Sequence, residues 1–309
     1  MDKLSTFITE YLKICESIKK LDTKTIKAYR IDLLQFHTFM LSQNDFTDKT
    51  ALNSYISLLH QKYRPKTAKR KIAALKAFFH YLICEEVLAY NPFDRLSVKF
   101  REPQILPRTI PDPVIESFLS TMYQQKQLAR TTYQRNSILR DIAVIELLFA
   151  TGVRISELCT LTSSQVDFTT YKIIIYGKGA KERMLQIGNK SVQSILWEYY
   201  STFKNEIAET GWFFINRLHR RYSEESVRHM ITKYLHLAAI DLHITPHMFR
   251  HSFATLLLEA DVDIRYIQKM LGHSSIKTTE LYTNVSMTKQ NSILVTKHPR
   301  NSMKIDFSL

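Results

Sequence analysis

The sequence predicts a two-domain, mainly α protein: an N-terminal helical bundle, then a larger mixed α/β domain, mostly helical with a small β-hairpin. Three observations predict it. Apolar residues recur at three- and four-residue spacing through much of the chain. All six glycines lie at or beyond Gly152, so the first segment has none. Five of the eight prolines (Pro92, Pro103, Pro107, Pro111 and Pro113) crowd between Asn91 and Pro113, which breaks regular structure and reads as a semi-extended linker. The expected boundaries are residues 1–90, a linker over 91–113, and a second domain over 114–309 with a tail from about 286. At roughly 150 residues per domain, 309 residues suit two.

The first helix is marked by Leu4, Phe7, Ile8, Tyr11, Leu12, Cys15 and Ile18, and the second by Ile26, Tyr29, Leu33, Phe36 and Met40. A third covers about Asp48 to Gln61, and a fourth carries Ala68, Ile72, Leu75, Phe79 and Leu82 on one face. Beyond the linker, helices are expected at Pro113–Met122 and Ile138–Phe149. TYKIIIYG, a turn in GKGAKE and a return in RMLQIG then predict the hairpin. Helices follow at about Lys190–Lys204 and Glu224–Ala239. Thr245-Pro246 reads as an N-cap and first turn of a helix ending near Glu259. Asp263 can cap another that Gly272 ends. A short helix bearing Tyr282 and the tail complete the chain.

Charge narrows the function. Lys and Arg number 43 against 29 Asp and Glu, a net charge of +14. Nucleic acid is the partner such an excess usually serves, because neutralising phosphates releases counterions. Cys15, Cys84 and Cys159 form no CxxC pair and no disulfide framework, which suits a reducing cytosol. The start lacks the apolar run of a signal peptide, and the most apolar stretch, Ile142 to Ala150, is short and contains Glu146. A cytoplasmic, nucleoid-associated protein is expected, with no membrane partner.

Several motifs carry chemistry. In RPKTAKRK, Lys66, Lys69 and Arg70 place cations at the start of the fourth helix, suited to a phosphate backbone or to a solvated face. His247-Met-Phe-Arg250-His251 is the densest polar constellation, with His247 and Arg250 sharing a helix face and Phe249, Phe253 and Leu256 available for burial. His247 and His251 stand at metal-pair spacing, but HMFRH lacks the glutamate of HExxH and its arginine would repel a dication. Arg154 and Glu157 form another i,i+3 pair in ATGVRISEL. GKGAKER lacks P-loop spacing, so ATP-driven chemistry is not indicated; it offers a lysine at a hairpin tip. Taken singly, these positions also fit a structural histidine, a surface ion pair and ordinary turns.

Their order is informative. ATGVRISEL, then GKGAKER, then TPHMFRHSFATLLLEADVDIRYIQKMLGHSSIKTTELYTNV closely resembles the tyrosine recombinases of the phage integrase family, particularly the Xer-type and simple integrase branch. DTKTIKAYRIDLLQF and KTAKRKIAALKAFFHYL resemble that family's helical core-binding domain, so the likeness covers nearly the whole chain. It implies a catalytic set of Arg154, Lys178, His247, Arg250, His273 and Tyr282, with Glu157 in support. Asn284 stands where many relatives have histidine, outside that set. The implied activity is site-specific DNA cleavage and rejoining through a 3′-phosphotyrosyl intermediate, in integration, excision or dimer resolution, with no metal or other cofactor. The implied partner is duplex DNA carrying a specific site, bound by a dimer and recombined in a homo- or hetero-tetramer. Alternatives are a type IB topoisomerase-like activity, a non-catalytic DNA-binding regulator of the same fold, and a metal-dependent nuclease.

Overall fold

A computed structural model describes residues 2–96, 108–177 and 182–272. Contacts divide the chain into two units, 1–104 and 105–309, each with its own apolar core.

The first unit holds four α-helices among the described residues: α1 (Lys3–Ser17), α2 (Thr23–Met40), α3 (Lys49–Lys62) and α4 (Pro65–Cys84). An aspartate caps each of the first three: Asp2, Asp22 and Asp48 accept from backbone amides of the first turn. Proline opens α4, where a missing N–H costs nothing. Leu33, Phe36, Leu75, Phe79 and Leu82 are fully buried, as the periodicity predicts, and so is Phe78 beside them. Asp32 is buried too, on the inner side of α2. It accepts from Arg70 and from Lys71 Nζ (2.8 Å), and Lys71 also reaches Gln35 Oε1. A buried carboxylate is tolerated only when so answered.

The expected linker gives residues at both ends to the folded units. Pro92–Arg95 is a 3-10 turn, with Phe93 and Leu96 in the first core. At the other end Ile110 joins the second core, and its N–H donates to Ser252 Oγ (2.7 Å).

The second unit begins with α5 (Asp112–Leu128) and α6 (Thr132–Thr151), both longer than expected. Thr131 caps α6 through the Gln134 amide. Two short pieces follow that periodicity could not resolve, α7 (Ile155–Cys159) and β1 (Val166–Asp167). The hairpin is β2 (Lys172–Tyr176) and β3 (Glu182–Gln186); with β1 they form an antiparallel sheet in chain order. α8 (Lys190–Thr202) is the helix expected to about Lys204, and α9 (Lys204–Thr210), beginning after Phe203, was not expected. Then come α10 (Glu224–Leu237), α11 (Pro246–Glu259) and α12 (Ile264–Leu271). Asp263 caps α12 through the Arg265 amide, and Gly272 ends it in the left-handed conformation. Thr245 occupies the N-cap of α11, but its hydroxyl makes no cap bond; Pro246 sets the first turn instead. The helix expected around Tyr282 lies outside the described residues.

The centre of this unit is α6, whose residues 142–145, 147 and 148 are all buried against α5, α8 and α11. Asp141 on α6 accepts from Arg140 (2.9 Å), Tyr234 (3.2 Å) and Tyr222 (3.4 Å), which ties α10 to the core. Only part of the apolar face assigned to α11 is deeply buried. Phe249 is, while Phe253 and Leu256 are half-buried and Ala254 and Leu258 pack on α12. Among the described residues no helix is long and apolar enough to cross a membrane.

Candidate active site

The end of α6 starts the site. Gly152 adopts φ +59° and stops the helix, and its amide still bonds Leu148 O. An alanine Cβ here would lie 2.6 Å from Phe253 Cδ1 and 2.9 Å from Leu271 Cδ2, so glycine is required for space as well as for conformation. The turn puts Arg154 at the N-cap of α7.

Arg154 is held from one side. Its backbone N–H donates to Glu157 Oε2 (2.8 Å) and its Nη1 to Glu157 Oε1 (2.8 Å). The side chain remains 36% exposed while Glu157 is buried. Arg183 on β3 meets the same carboxylate with Nη1 to Oε1 (3.0 Å) and Nη2 to Oε2 (2.6 Å). Burial works to raise the Glu157 carboxyl. The Arg183 hydrogen bonds, the Arg154 amide and the guanidinium charge outweigh it and hold the group below the ordinary carboxylate range.

Arg250, in the first turns of α11, is 4% exposed. Its Nη1 donates to Gly152 O (2.6 Å) and its Nη2 to Leu271 O (2.7 Å). These carbonyls sit at the carboxyl ends of α6 and α12, where the helix dipoles present partial negative charge. The fork therefore fastens three helices while its own cation is stabilised.

His247, one turn earlier on α11, keeps an exposed edge. Partial burial, then the charges of Arg250, Arg154 and Arg228, push its pKa below the ordinary 6.5; Glu224 opposes them. Both predicted arginines thus act on this imidazole, which stays neutral at physiological pH. His251 follows the same direction, to about 4, through burial and then the fields of His247 and Arg250.

The structure accordingly brings together Arg154, Glu157, His247 and Arg250 of the predicted set. Lys178, His273 and Tyr282 lie outside the described residues; Lys178 follows Gly177 of the hairpin, and His273 follows Gly272. In the first unit, Lys66 and Lys69 are exposed at the start of α4, whereas Arg70 is paired with Asp32. Lys71, a further cation of RPKTAKRK, is buried. Sequence reasoning missed Arg183 altogether. The signal was available: residues 183, 185 and 187 share one face of a strand, and at 185 and 187 that face is apolar. A cation in line with them needs an acidic partner. Among the described residues no group of three or more His, Cys, Asp or Glu could hold a metal ion.

Comparison with known proteins bears on this arrangement. The phage integrase family matches residues 121–289, and the N-terminal SAM-like domain of phage integrases matches residues 8–86. A tyrosine recombinase of Agathobacter rectalis is 55% identical over 97% of this chain and 98% of its own length. Tyrosine recombinase XerC of Anoxybacillus flavithermus is 32% identical, covering 96% of this chain and 97% of its own. Among solved structures, XerH bound to a palindromic difH substrate, a post-cleavage complex, superposes with TM-score 0.73 at 22% identity, over 94% of this chain and 84% of its own. A lambda integrase tetramer bound to a Holliday junction gives 0.68 at 15% identity, over 90% and 76%. These structural likenesses establish the fold, that of a helical N-terminal domain joined to an integrase catalytic domain.

Proposed function

The chain belongs to the phage integrase family and is a tyrosine recombinase, an enzyme of site-specific DNA cleavage and rejoining; from that premise we propose that Arg154, Lys178, His247, Arg250, His273 and Tyr282 are its catalytic residues. The observation that supports the assignment is the meeting of Arg154, held by Glu157, with Arg250, anchored on the Gly152 and Leu271 carbonyls one turn after His247, at the junction of α6, α7, α11 and α12.

The phenolic oxygen of Tyr282 attacks a DNA phosphorus. A Tyr–O–P bond forms, the P–O5′ bond breaks, and the strand is left as a 3′-phosphotyrosyl ester with a free 5′-hydroxyl. Arg154 and Arg250 stabilise the negative charge that builds on the non-bridging oxygens. Both remain cationic at any physiological pH, so this stabilisation needs no metal. His273 adds a hydrogen bond to the same phosphate. His247, kept neutral by its surroundings, receives the tyrosine proton. Lys178 delivers one to the leaving 5′ oxygen, which is far more basic than a phenolate. The ester preserves the energy of the broken bond, so a 5′-hydroxyl from a second strand reverses the step and joins new partners without ATP.

The substrate is duplex DNA carrying a specific site. The protein acts as a dimer on one site and a tetramer when two are paired, with itself or with a related recombinase, in the cytoplasm. Lys66 and Lys69 contact the DNA backbone from the first unit. Arg70 contributes less there, since Asp32 already engages its guanidinium.

Covalent capture tests this reading. The protein is expressed in cells holding its native genomic DNA, denatured, and any DNA still attached is sequenced, beside Tyr282→Phe. The expected result is a tyrosine-dependent adduct on a 3′ phosphate that recurs at one sequence. Equal capture by the two proteins, both on genomic DNA and on randomly nicked genomic fragments from which the released strand diffuses away, overturns it.

A further inference from the structure

Arg183 stands directly opposite Ile175 in the β2–β3 register. Cross-strand partners share a face, and here that face carries the buried Ile173, Ile175 and Leu185. A guanidinium on the core side of a small sheet is unusual enough to require a task. Its side chain is 9% exposed, its Nε donates to Met270 O (2.9 Å), and its two terminal nitrogens grip Glu157. Its stem runs against Gly272, where a Cβ would come within 3.0 Å of Arg183 Cδ. The Met270 bond and that close passage fix the direction of the fork.

The acceptor count on Glu157 is the informative quantity. An ionised carboxylate offers about four lone-pair sites. Here Oε1 accepts from Arg154 Nη1 and Arg183 Nη1, and Oε2 accepts from the Arg154 amide and Arg183 Nη2. All four are taken, two of them by Arg183. Arg154 is left with a single side-chain bond to a carboxylate that would otherwise draw its guanidinium into a two-pronged pair.

We propose that Arg183 is a positioning residue for strand cleavage. By saturating Glu157, it keeps the Arg154 guanidinium turned outward and available to the scissile phosphate. With Arg183 removed, Arg154 rotates onto both oxygens of Glu157 and its donors are lost to the substrate. The proposal rests on the reading that Arg154 binds that phosphate.

The test uses the full chain and nicked duplexes carrying the sequence recovered with the wild-type adduct, one with an ordinary scissile phosphate and one with a methylphosphonate there. The methylphosphonate lacks the charge that Arg154 answers. Arg183→Ala is expected to slow single-turnover cleavage of the phosphate duplex by about 10²-fold at saturating protein, the scale of a small misplacement in an active site. Its DNA affinity should stay within about threefold, and its deficit on the methylphosphonate should shrink at least about tenfold, because less charge stabilisation remains to be lost. Equal deficits on the two duplexes would mark a general brace and overturn the proposal. Arg183→Lys, which keeps the charge but lacks the fork, protects against a folding failure and should show the same substrate pattern more weakly. A crystal structure of Arg183→Lys without DNA reads the inference apart from activity: Arg154 paired with both oxygens of Glu157 supports it, and Arg154 in its original single contact overturns it. Absence of any tyrosine-dependent adduct from the wild type would instead remove the functional reading, leaving the structural comparison to decide this one.

Discussion

A guanidinium at 4% exposure must have its charge answered by fixed dipoles. Arg250 is answered by two helix carboxyl ends through Gly152 O and Leu271 O, a geometry that a lysine ammonium cannot span. It therefore serves the fold before any phosphate arrives. His247 feels that cation directly. Because burial and neighbouring positive charge disfavour the imidazolium, the neutral form persists to lower pH than in a free histidine. An NMR titration of the His247 ring protons should give a midpoint below 6.5. A midpoint at or above that value would deprive the proposed base of its readiness at neutral pH.

At the scale of elements, the site is a junction of helix ends. α6 stops at Gly152, α12 stops at Gly272, α7 starts at Arg154, and α11 supplies Arg250 to bind the first two. Gly152→Ala tests how much depends on that meeting. The new methyl would press on Phe253 and Leu271 in a backbone conformation that disfavours side chains. A loss of about 1–3 kcal/mol in chemical denaturation is expected from overpacking alone. Strand cleavage should fall more than about tenfold, since displacing the Gly152 carbonyl misaims Arg250. Unchanged denaturation midpoints and cleavage rates would show that the junction tolerates repacking.

For the whole molecule, the net charge of +14 governs the encounter with DNA. Some of that charge is committed internally, at Lys71, Arg140, Arg183 and Arg250, each held by carboxylates or carbonyls. The exposed remainder sets the salt dependence. With six or more phosphate contacts, affinity for duplex DNA should fall about 10³-fold or more between 50 and 200 mM salt. Binding isotherms at several salt concentrations check this, and a flat response would mean that the surface cations do not meet the phosphates.

Much of this protein was legible from its sequence. Helical periodicity located the four helices of the first unit because burying one face requires that spacing. KIIIY and the glycines at 177 and 179 located the hairpin for equally local reasons. ATGVRISEL and HMFRH pointed to the proposed site because residue type and spacing along one chain are what a motif records. The short α7 and β1 stayed invisible, being too brief for any periodic signal. Tertiary structure alone decided where each cation went. RPKTAKRK reads as one basic surface, yet Asp32, more than thirty residues earlier, buries Lys71 and engages Arg70. Arg183 reads as the first residue of a returning strand, yet Glu157 on another element captures it. A charge finds its partner in three dimensions, and the desolvation that makes the pairing necessary exists only once the chain has folded.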